Sequence, residues 1–300
     1  MCVMSSGVEP SDPPSLCPVC SAKSARFEVG QTELFVCGAC THVFRGPGTQ
    51  GDNKLFESEE YVAWRAGSIE QTRIADRRIS LLDEFDLPRG RSLEIGCATG
   101  EAVGALLSRG WDAYGIDVSE YAVRAGKRLI GEDRLAVGLS PGIADHKFDL
   151  LLAFHVLEHV PDIRDFGGML RRRSLPNSYL YVRVPNWNSW SRKVSGRYWP
   201  SLMPEHLHHF TEVSIWTWLH SIGYTPVWVG TEGRGREWLG ALRRCIARDK
   251  SVGSTSEIAA TTRRLEVIDK VERWGRPWFH LEERVNRGSE LVAIAQRDPH

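Results

Sequence analysis

Three sets of residues in this chain have types and spacings that can do chemistry. The first is two C-x-x-C knuckles, Cys17-Pro18-Val19-Cys20 and Cys37-Gly38-Ala39-Cys40. Four thiolates at this spacing suit a tetrahedral zinc site, and four sulfurs close its shell, so the metal expected there is structural. A redox C-x-x-C would stand singly, at a helix start after a strand. His42 is near enough to replace one ligand but reads as a turn histidine. The second set is Leu93-Glu94-Ile95-Gly96-Cys97-Ala98-Thr99-Gly100, with Glu101 directly after it and Asp117 further on. It reads as a buried strand, a glycine-rich bend and a helix start, the unit with which an open parallel sheet presents a ligand at its strand ends. The third set is histidine and glutamate: His155, Glu158 and His159 after the apolar run Asp149–Phe154, then His206, His208 and His209.

The glycine bend says which ligand to expect. A dinucleotide fingerprint needs G-x-G-x-x-G. Here Ala98 holds the middle glycine's place and Glu101 the last one. Carboxylates at Glu94 and Glu101 would repel a diphosphate. S-adenosylmethionine has no phosphate and carries an ammonium and a sulfonium, so it fits the pattern better. Leu93–Gly100 with Glu101 resembles motif I of the class I S-adenosylmethionine-dependent methyltransferases. Gly115–Ser119 resembles the end of their second strand. Phe148–Val160 (FDLLLAFHVLEHV) resembles their fourth strand and the helix after it, in the form seen in the ubiquinone-biosynthesis-like branch. The resemblance runs in register from about Arg91 to Gly230. It implies an α/β Rossmann-like sheet, mostly parallel with its last strand antiparallel. It also implies cofactor contacts at Glu94, Gly96, Ala98, Gly100, Asp117, Val118, Phe154, His155 and Glu158. The two-knuckle arrangement is similar to the N-terminal zinc lobe of some methyltransferases acting on deoxysugars, and more loosely to that of a group acting on ribosomal RNA guanine.

Around these residues the chain divides into four parts. Residues 1–14 lack both a basic start and an apolar stretch, so they are expected to be a disordered N-terminus rather than a signal peptide. Residues 15–45 form the zinc ribbon, with strands over Ala25–Val29 and Glu33–Val36. Residues 46–90 are a linker and lid helices over Phe56–Trp64 and Ile69–Phe85, with Tyr61, Trp64 and Arg73 as residues that could cover the cofactor. Residues 91–300 are the methyltransferase domain, with insertions at 185–210 and 233–288. Asp117 ends the second strand, where a carboxylate can take both ribose hydroxyls; the competing role is a helix N-cap, which Ser119 can fill instead. The family's acidic adenine contact after the third strand is missing, since Gly138-Leu139-Ser140-Pro141 stands there. The insertion at 185–210 holds Trp187, Trp190, Tyr198 and Trp199. These could stack on an acceptor ring or form a small core of their own.

The chain has 300 residues, zero formal net charge and a 42% hydrophobic fraction. No apolar run is long enough to span a bilayer. Zero charge gives no overall footprint for nucleic acid. Seven cysteines, four of them in close pairs, suit metal in a reducing, cytoplasmic setting. From Arg234 to Arg287 there are 13 basic and 8 acidic residues, so this insertion alone is basic and could be a homodimer surface. Direct methyl transfer to oxygen or carbon needs a base for the acceptor's proton. His206 is the first candidate, with His155 and His209 behind it; a histidine of ordinary pKa suits that task at neutral pH. The activity expected is methyl transfer to a small-molecule or glycan acceptor. The alternatives are an RNA base methyltransferase reading RNA through its ribbon, and a non-catalytic subunit that keeps the cofactor fold.

Overall fold

The computed structural model describes residues 15–46, 67–131, 133–139, 143, 146–233, 235–247 and 265–299. The expected helix over 56–64, with Tyr61 and Trp64, lies outside them.

The main sheet has seven strands. They are β4 (Arg91–Ile95), β5 (Asp112–Asp117), β6 (Leu135–Val137), β7 (Phe148–Phe154), β8 (Ser174–Pro185), β10 (Tyr224–Glu232) and β11 (Glu290–Arg297). Their spatial order is β10-β11-β8-β7-β4-β5-β6. The pairs from β6 through β8 are parallel, and β11 runs antiparallel to both β8 and β10. The central strand β7 is apolar because both its faces are covered. Leu150 and Leu152 face one core, with Ala75, Ile79, Val103 and Leu106. Leu151 and Ala153 face the other, with Ile163, Leu170, Ile215 and Trp218, as the two-residue side-chain period of a strand requires.

Helices α1 (Ile69–Ser80), α2 (Glu101–Ser108) and α3 (Glu120–Ile130) contribute to the first core. Helices α4 (Ile163–Arg173) and α6 (Glu212–Ser221) contribute to the second, with the short α5 (Trp190–Ser195) between them in sequence. The expected helix over 69–85 stops at Ser80 and tightens into a 3₁₀ turn at Leu81–Glu84. Among the described residues, two further helices, α7 (Gly235–Ala247) and α8 (Leu265–Arg284), lie in the late insertion.

A second, four-stranded sheet is built from two distant parts of the chain. Strands β1 (Ser24–Val29), β2 (Thr32–Cys37) and β3 (Val43–Phe44) belong to the N-terminal lobe. Strand β9 (His208–His209) comes from the insertion after β8 and pairs with β3, with Val43 opposite His209 and Phe44 opposite His208. The lobe is therefore continuous with the body of the protein.

Candidate active site

The strand ends of β4, β5 and β7 open into a cavity of about 620 Å³. The end at the glycine turn is local in sequence. Gly96 (φ 73°) and Gly100 (φ 81°) turn the chain from β4 into α2. A side chain on Gly100 would meet Ile130 and Leu135, so this glycine serves the turn and the packing behind it. Glu94, Gly96, Ala98, Asp117, Val118, Phe154, His155 and Glu158 all line the cavity, and Gly100 sits just behind it. Asp117 accepts hydrogen bonds from the backbone N–H groups of Ala98 (2.7 Å) and Ser119 (2.9 Å). The N-cap of α3 is Ser119, whose hydroxyl accepts from Ala122 N–H, so Asp117 is not spent on capping. Glu94, Glu101 and Asp117 also make this end acidic. Burial, then these three carboxylates, push the Cys97 thiol well above its ordinary value. An acidic cradle suits a cofactor carrying an ammonium and a sulfonium. Helix α1 closes the cavity with Gln71, Ile74, Ala75 and Arg78. Arg73 points to solvent instead, because the inward face of α1 repeats every three to four residues from Gln71.

The other end is assembled from distant segments. His155 ends β7 in the left-handed region (φ 56°), and both its ring nitrogens face carboxylates. Nδ1 lies 3.2 Å from Glu158 Oε1, and Nε2 lies 2.6 Å from Glu290 Oε1. Glu290 is held in turn by the fully buried Arg183, whose Nε and Nη2 donate to Oε2 at 3.1 and 2.9 Å. Arg183 also pairs with Glu232 and donates to the Tyr181 hydroxyl at 2.7 Å. Burial works against a charged His155, but Glu290 and Glu158 outweigh it and push the imidazole up. Burial likewise works to raise Glu158, but the hydrogen bond from His155 prevails and holds it down. Sequence reasoning misses Glu290 and Arg183. Their signal is an arginine inside the apolar run Tyr179–Val184 and a glutamate opening Glu290–Ala295 on the neighbouring strand.

His206 reaches the cavity from the insertion, with Met203 beside it. Its ring packs edge-on to that of His159, with centroids 4.7 Å apart. His159 Nδ1 is fixed by the Glu205 carbonyl at 3.0 Å. One donor atom each of Glu158, His159 and His206 lies within 4.8 Å of the others, a spacing that suits a shared proton or a small cation. Glu158 Oε2 and His206 Nδ1 have no hydrogen-bond partner among the described residues. Burial pulls His206 down to about 3, against the pull of Glu158.

The remaining insertion residues do not reach the cavity. His209 is buried between Trp187 and Trp199, at centroid distances of 5.0 and 5.6 Å. Trp187 and Trp199 close a satellite core with Leu34, Val43 and Leu202, so stacking on an acceptor ring is ruled out for these two. Trp190 packs on Trp278 of α8. His208 is turned away too, bridging His42 Nε2 (3.1 Å) and the Val160 carbonyl (3.0 Å). His42 is thus a packing and bridging residue. In an extended strand neighbouring side chains point to opposite faces, which separates His208 from His209.

In the lobe, the four cysteine sulfurs lie within 4.8 Å of one another, with Cys17–Cys40 at 3.6 Å and Cys20–Cys37 at 3.4 Å. A tetrahedral shell with bonds of about 2.3 Å puts sulfurs about 3.8 Å apart. The donor set therefore fits zinc. The hydrogen bond from Cys40 holds the Cys17 thiol down to about 5, and Cys40 is pushed up in turn.

Fold and cavity together define a class: an α/β protein with one cavity at its strand ends, opening beside an acidic glycine turn. Residues 66–229, more than half of the chain, match the family described as a methyltransferase domain, and the chain belongs to that family. It is a class I S-adenosylmethionine-dependent methyltransferase. The chain is similar to a ubiquinone biosynthesis O-methyltransferase of Methylococcus capsulatus, 26% identical over 185 residues, covering 52% of this chain and 78% of that protein. A second relative of the same description, from Bartonella tribocorum, is 24% identical over 154 residues, covering 44% of this chain and 62% of that one. A third, from Rhodopseudomonas palustris, is 28% identical over 113 residues, and the chain spans less than half of its length (45%) while 35% of this chain is covered. Among solved structures, magnesium protoporphyrin IX methyltransferase from Synechocystis with bound SAH is 15% identical at a TM-score of 0.48, covering 82% of this chain and 98% of that one. A SAM-dependent methyltransferase from Archaeoglobus fulgidus is 18% identical at a TM-score of 0.47, covering 75% and 94%. No helix among the described residues is long and apolar enough to cross a membrane.

Two predictions come from this geometry. Asp117→Ala should weaken S-adenosylhomocysteine binding by on the order of 2–4 kcal/mol, with the circular dichroism unchanged. Equal affinity by calorimetry would take Asp117 out of the site. The second concerns acid. Burial lowers His206 to about 3, His208 to about 4 and His209 well below 6.5. Below about pH 6.5 the unfolded chain binds protons at these three positions and the folded chain does not, so stability falls as pH falls, by up to roughly 4 kcal/mol per unit. His155, being raised, acts in a separate window: its contribution is fully present below pH 6.5 and is lost as pH rises through its own higher pKa, so it does not flatten the fall below 6.5. Urea titrations should show the midpoint dropping steeply from pH 6.5 to 4.5, and a flat profile there would contradict the buried neutral histidines.

Proposed function

We propose that this methyltransferase acts on an oxygen or carbon of a small-molecule or glycan acceptor, such as a sugar, a natural product or a cell-envelope precursor. The observation that carries this reading is the continuity of one cavity. It runs from the acidic glycine turn and Asp117 to an end lined by Glu158, His159, Met203 and His206. Relatives described as O-methyltransferases of ubiquinone biosynthesis support oxygen as the accepting atom.

When bound, the cofactor supplies an electrophilic methyl group on its sulfonium. Asp117 would take its ribose hydroxyls, and Glu94 and Glu101 would balance its positive charges. Arg78, Gln71 and Ile74 of α1 would close over it and exclude water. The acceptor would lie between the strand ends and His206. His155 has both nitrogens committed to carboxylates, so its reading is a charged wall that steers the acceptor. His209 packs beside Trp187 and Trp199 and does not line the cavity. His206 is left to take the acceptor's proton at a ring nitrogen, with Glu158 stabilising the imidazolium that forms. Zinc at Cys17, Cys20, Cys37 and Cys40 would be structural and take no part in transfer.

His206→Ala should lower transfer by about 10²–10⁴-fold while S-adenosylhomocysteine affinity stays near wild type. The readout is S-adenosylhomocysteine release over a panel of phenols and sugar hydroxyls. The pH profile should also differ from the expectation for an ordinary histidine. Burial keeps His206 neutral down to about 3, so its acid limb should be absent near pH 6.5. A full rate in His206→Ala would place the base elsewhere. For the lobe, the purified protein should hold one zinc per chain and lose it in a Cys17→Ser/Cys40→Ser double variant; zinc retained there would refute the site.

A further inference from the structure

The four-cysteine lobe lies outside the part of the chain that matches the methyltransferase family. Its contacts converge on one place. Arg45, just after β3, donates from Nε to the His206 carbonyl and from Nη2 to the Met203 carbonyl, both at 3.0 Å. Its backbone N–H donates to the Leu207 carbonyl at 2.9 Å. Met203 and His206 are the two insertion residues that line the cavity. A little further on, His208 and His209 pair with Phe44 and Val43 as β9. Thr41 and Thr211 then join by their hydroxyls at 2.6 Å. On the far side, the same segment is tied to the end of β7, where Leu207 and His208 donate to the Glu158 carbonyl at 2.7 and 3.1 Å.

The knuckle sets the direction of this grip. Cys37 N–H donates to the His42 carbonyl, and Thr41 N–H donates to the Cys37 carbonyl, at 2.9 and 3.0 Å. Thr41 sits at φ 60°, which turns the chain out of the knuckle and into β3. The cysteine end is fastened separately, by Arg164 of α4 to the Pro18 and Cys17 carbonyls at 2.6 and 3.2 Å. None of these bonds touches Leu93–Gly100 or Asp117.

We propose that the four-cysteine lobe positions the acceptor half of the cavity, and that Arg45 is the positioning residue through which it acts on Met203 and His206. The lobe holds Met203–Phe210 against the Glu158 loop, so the wall that meets the acceptor depends on the knuckles while the cofactor half does not. Loss of metal from the knuckles then frees the acceptor wall and leaves cofactor binding intact. This rests on the reading of the His206 end as the acceptor end.

The test uses the full-length protein with S-adenosylhomocysteine as probe, in wild type, Arg45→Met and Arg45→Lys, and in wild type stripped of zinc by chelation. Amide hydrogen exchange is followed over residues 203–210 and over β4, with probe affinity measured by calorimetry. Arg45→Met and stripped wild type should exchange about tenfold faster or more over 203–210, with β4 unchanged and affinity within about twofold. Arg45→Lys, which keeps a donor and the charge, should recover part of the protection. Unchanged exchange over 203–210 in Arg45→Met overturns the proposal. So does faster exchange everywhere with loss of probe affinity, since that is a general stabilising role. If Arg45→Met does not fold, Thr41→Val gives the same readout: faster exchange confined to 203–210 supports the proposal and unchanged exchange sinks it. Failure of wild type to bind the probe would instead count against the cofactor site, and the exchange data would still judge the clamp.

Discussion

A guanidinium with no solvent exposure, in a strand at the centre of a sheet, has to be neutralised where it stands. Arg183 is that group, and much of the active site depends on it. It draws Glu290 and Glu232 inward from the two strands on its flank. Glu290 turns its other oxygen to His155 and to Arg78, and Glu158 meets His155 from the opposite side. The imidazole is fixed at both nitrogens, which lets a non-glycine residue sit in the left-handed region at the end of β7. Removing any one member would leave a buried charge without its partner, so the group holds together or fails together.

The cavity has two halves of different origin. Its cofactor half is made by one strand, one turn and the next strand's last residue, all local in sequence between Leu93 and the Asp117 hydrogen bonds. The half proposed for the acceptor is lined by residues distant in sequence, Glu158 from the loop after β7 and His206 from the insertion, held by Arg45 of the lobe and, through His155, by Glu290 of the last strand. A common cofactor needs the same local cradle each time. An acceptor is met by whatever the long connections bring to the strand ends.

That division also explains what is legible in the sequence. The glycine turn, Asp117 and the Ser119 cap are legible because each depends on spacing over a few residues. The strand order and the antiparallel last strand come with the family resemblance. The knuckles are legible from four cysteines, but their reach to His206 is not, since no local pattern links Arg45 to Met203. Arg73 is misplaced by sequence reasoning because α1 carries few apolar residues, so its inward face is hard to tell from its outward one. Trp187 and Trp199 are ambiguous for a physical reason: an aromatic ring that can stack on an acceptor can equally fill a small core. The ordinary pKa expected for His206 fails because burial is a tertiary property.

The sheet β1-β2-β3-β9 ties residue 44 to residue 208 and so encloses the entire glycine-turn region within a single loop of chain. The ribbon's first three strands are synthesised well before β9, so it lacks its fourth strand until the chain has been made as far as residue 209. It therefore cannot behave as a portable module. A truncated chain beginning where the family match begins would leave His208 and His209 as a bare two-residue edge, with Trp187 and Trp199 uncovered beside it. Grafting the ribbon onto another methyltransferase would fail for the converse reason, unless the receiving protein brought its own partner strand.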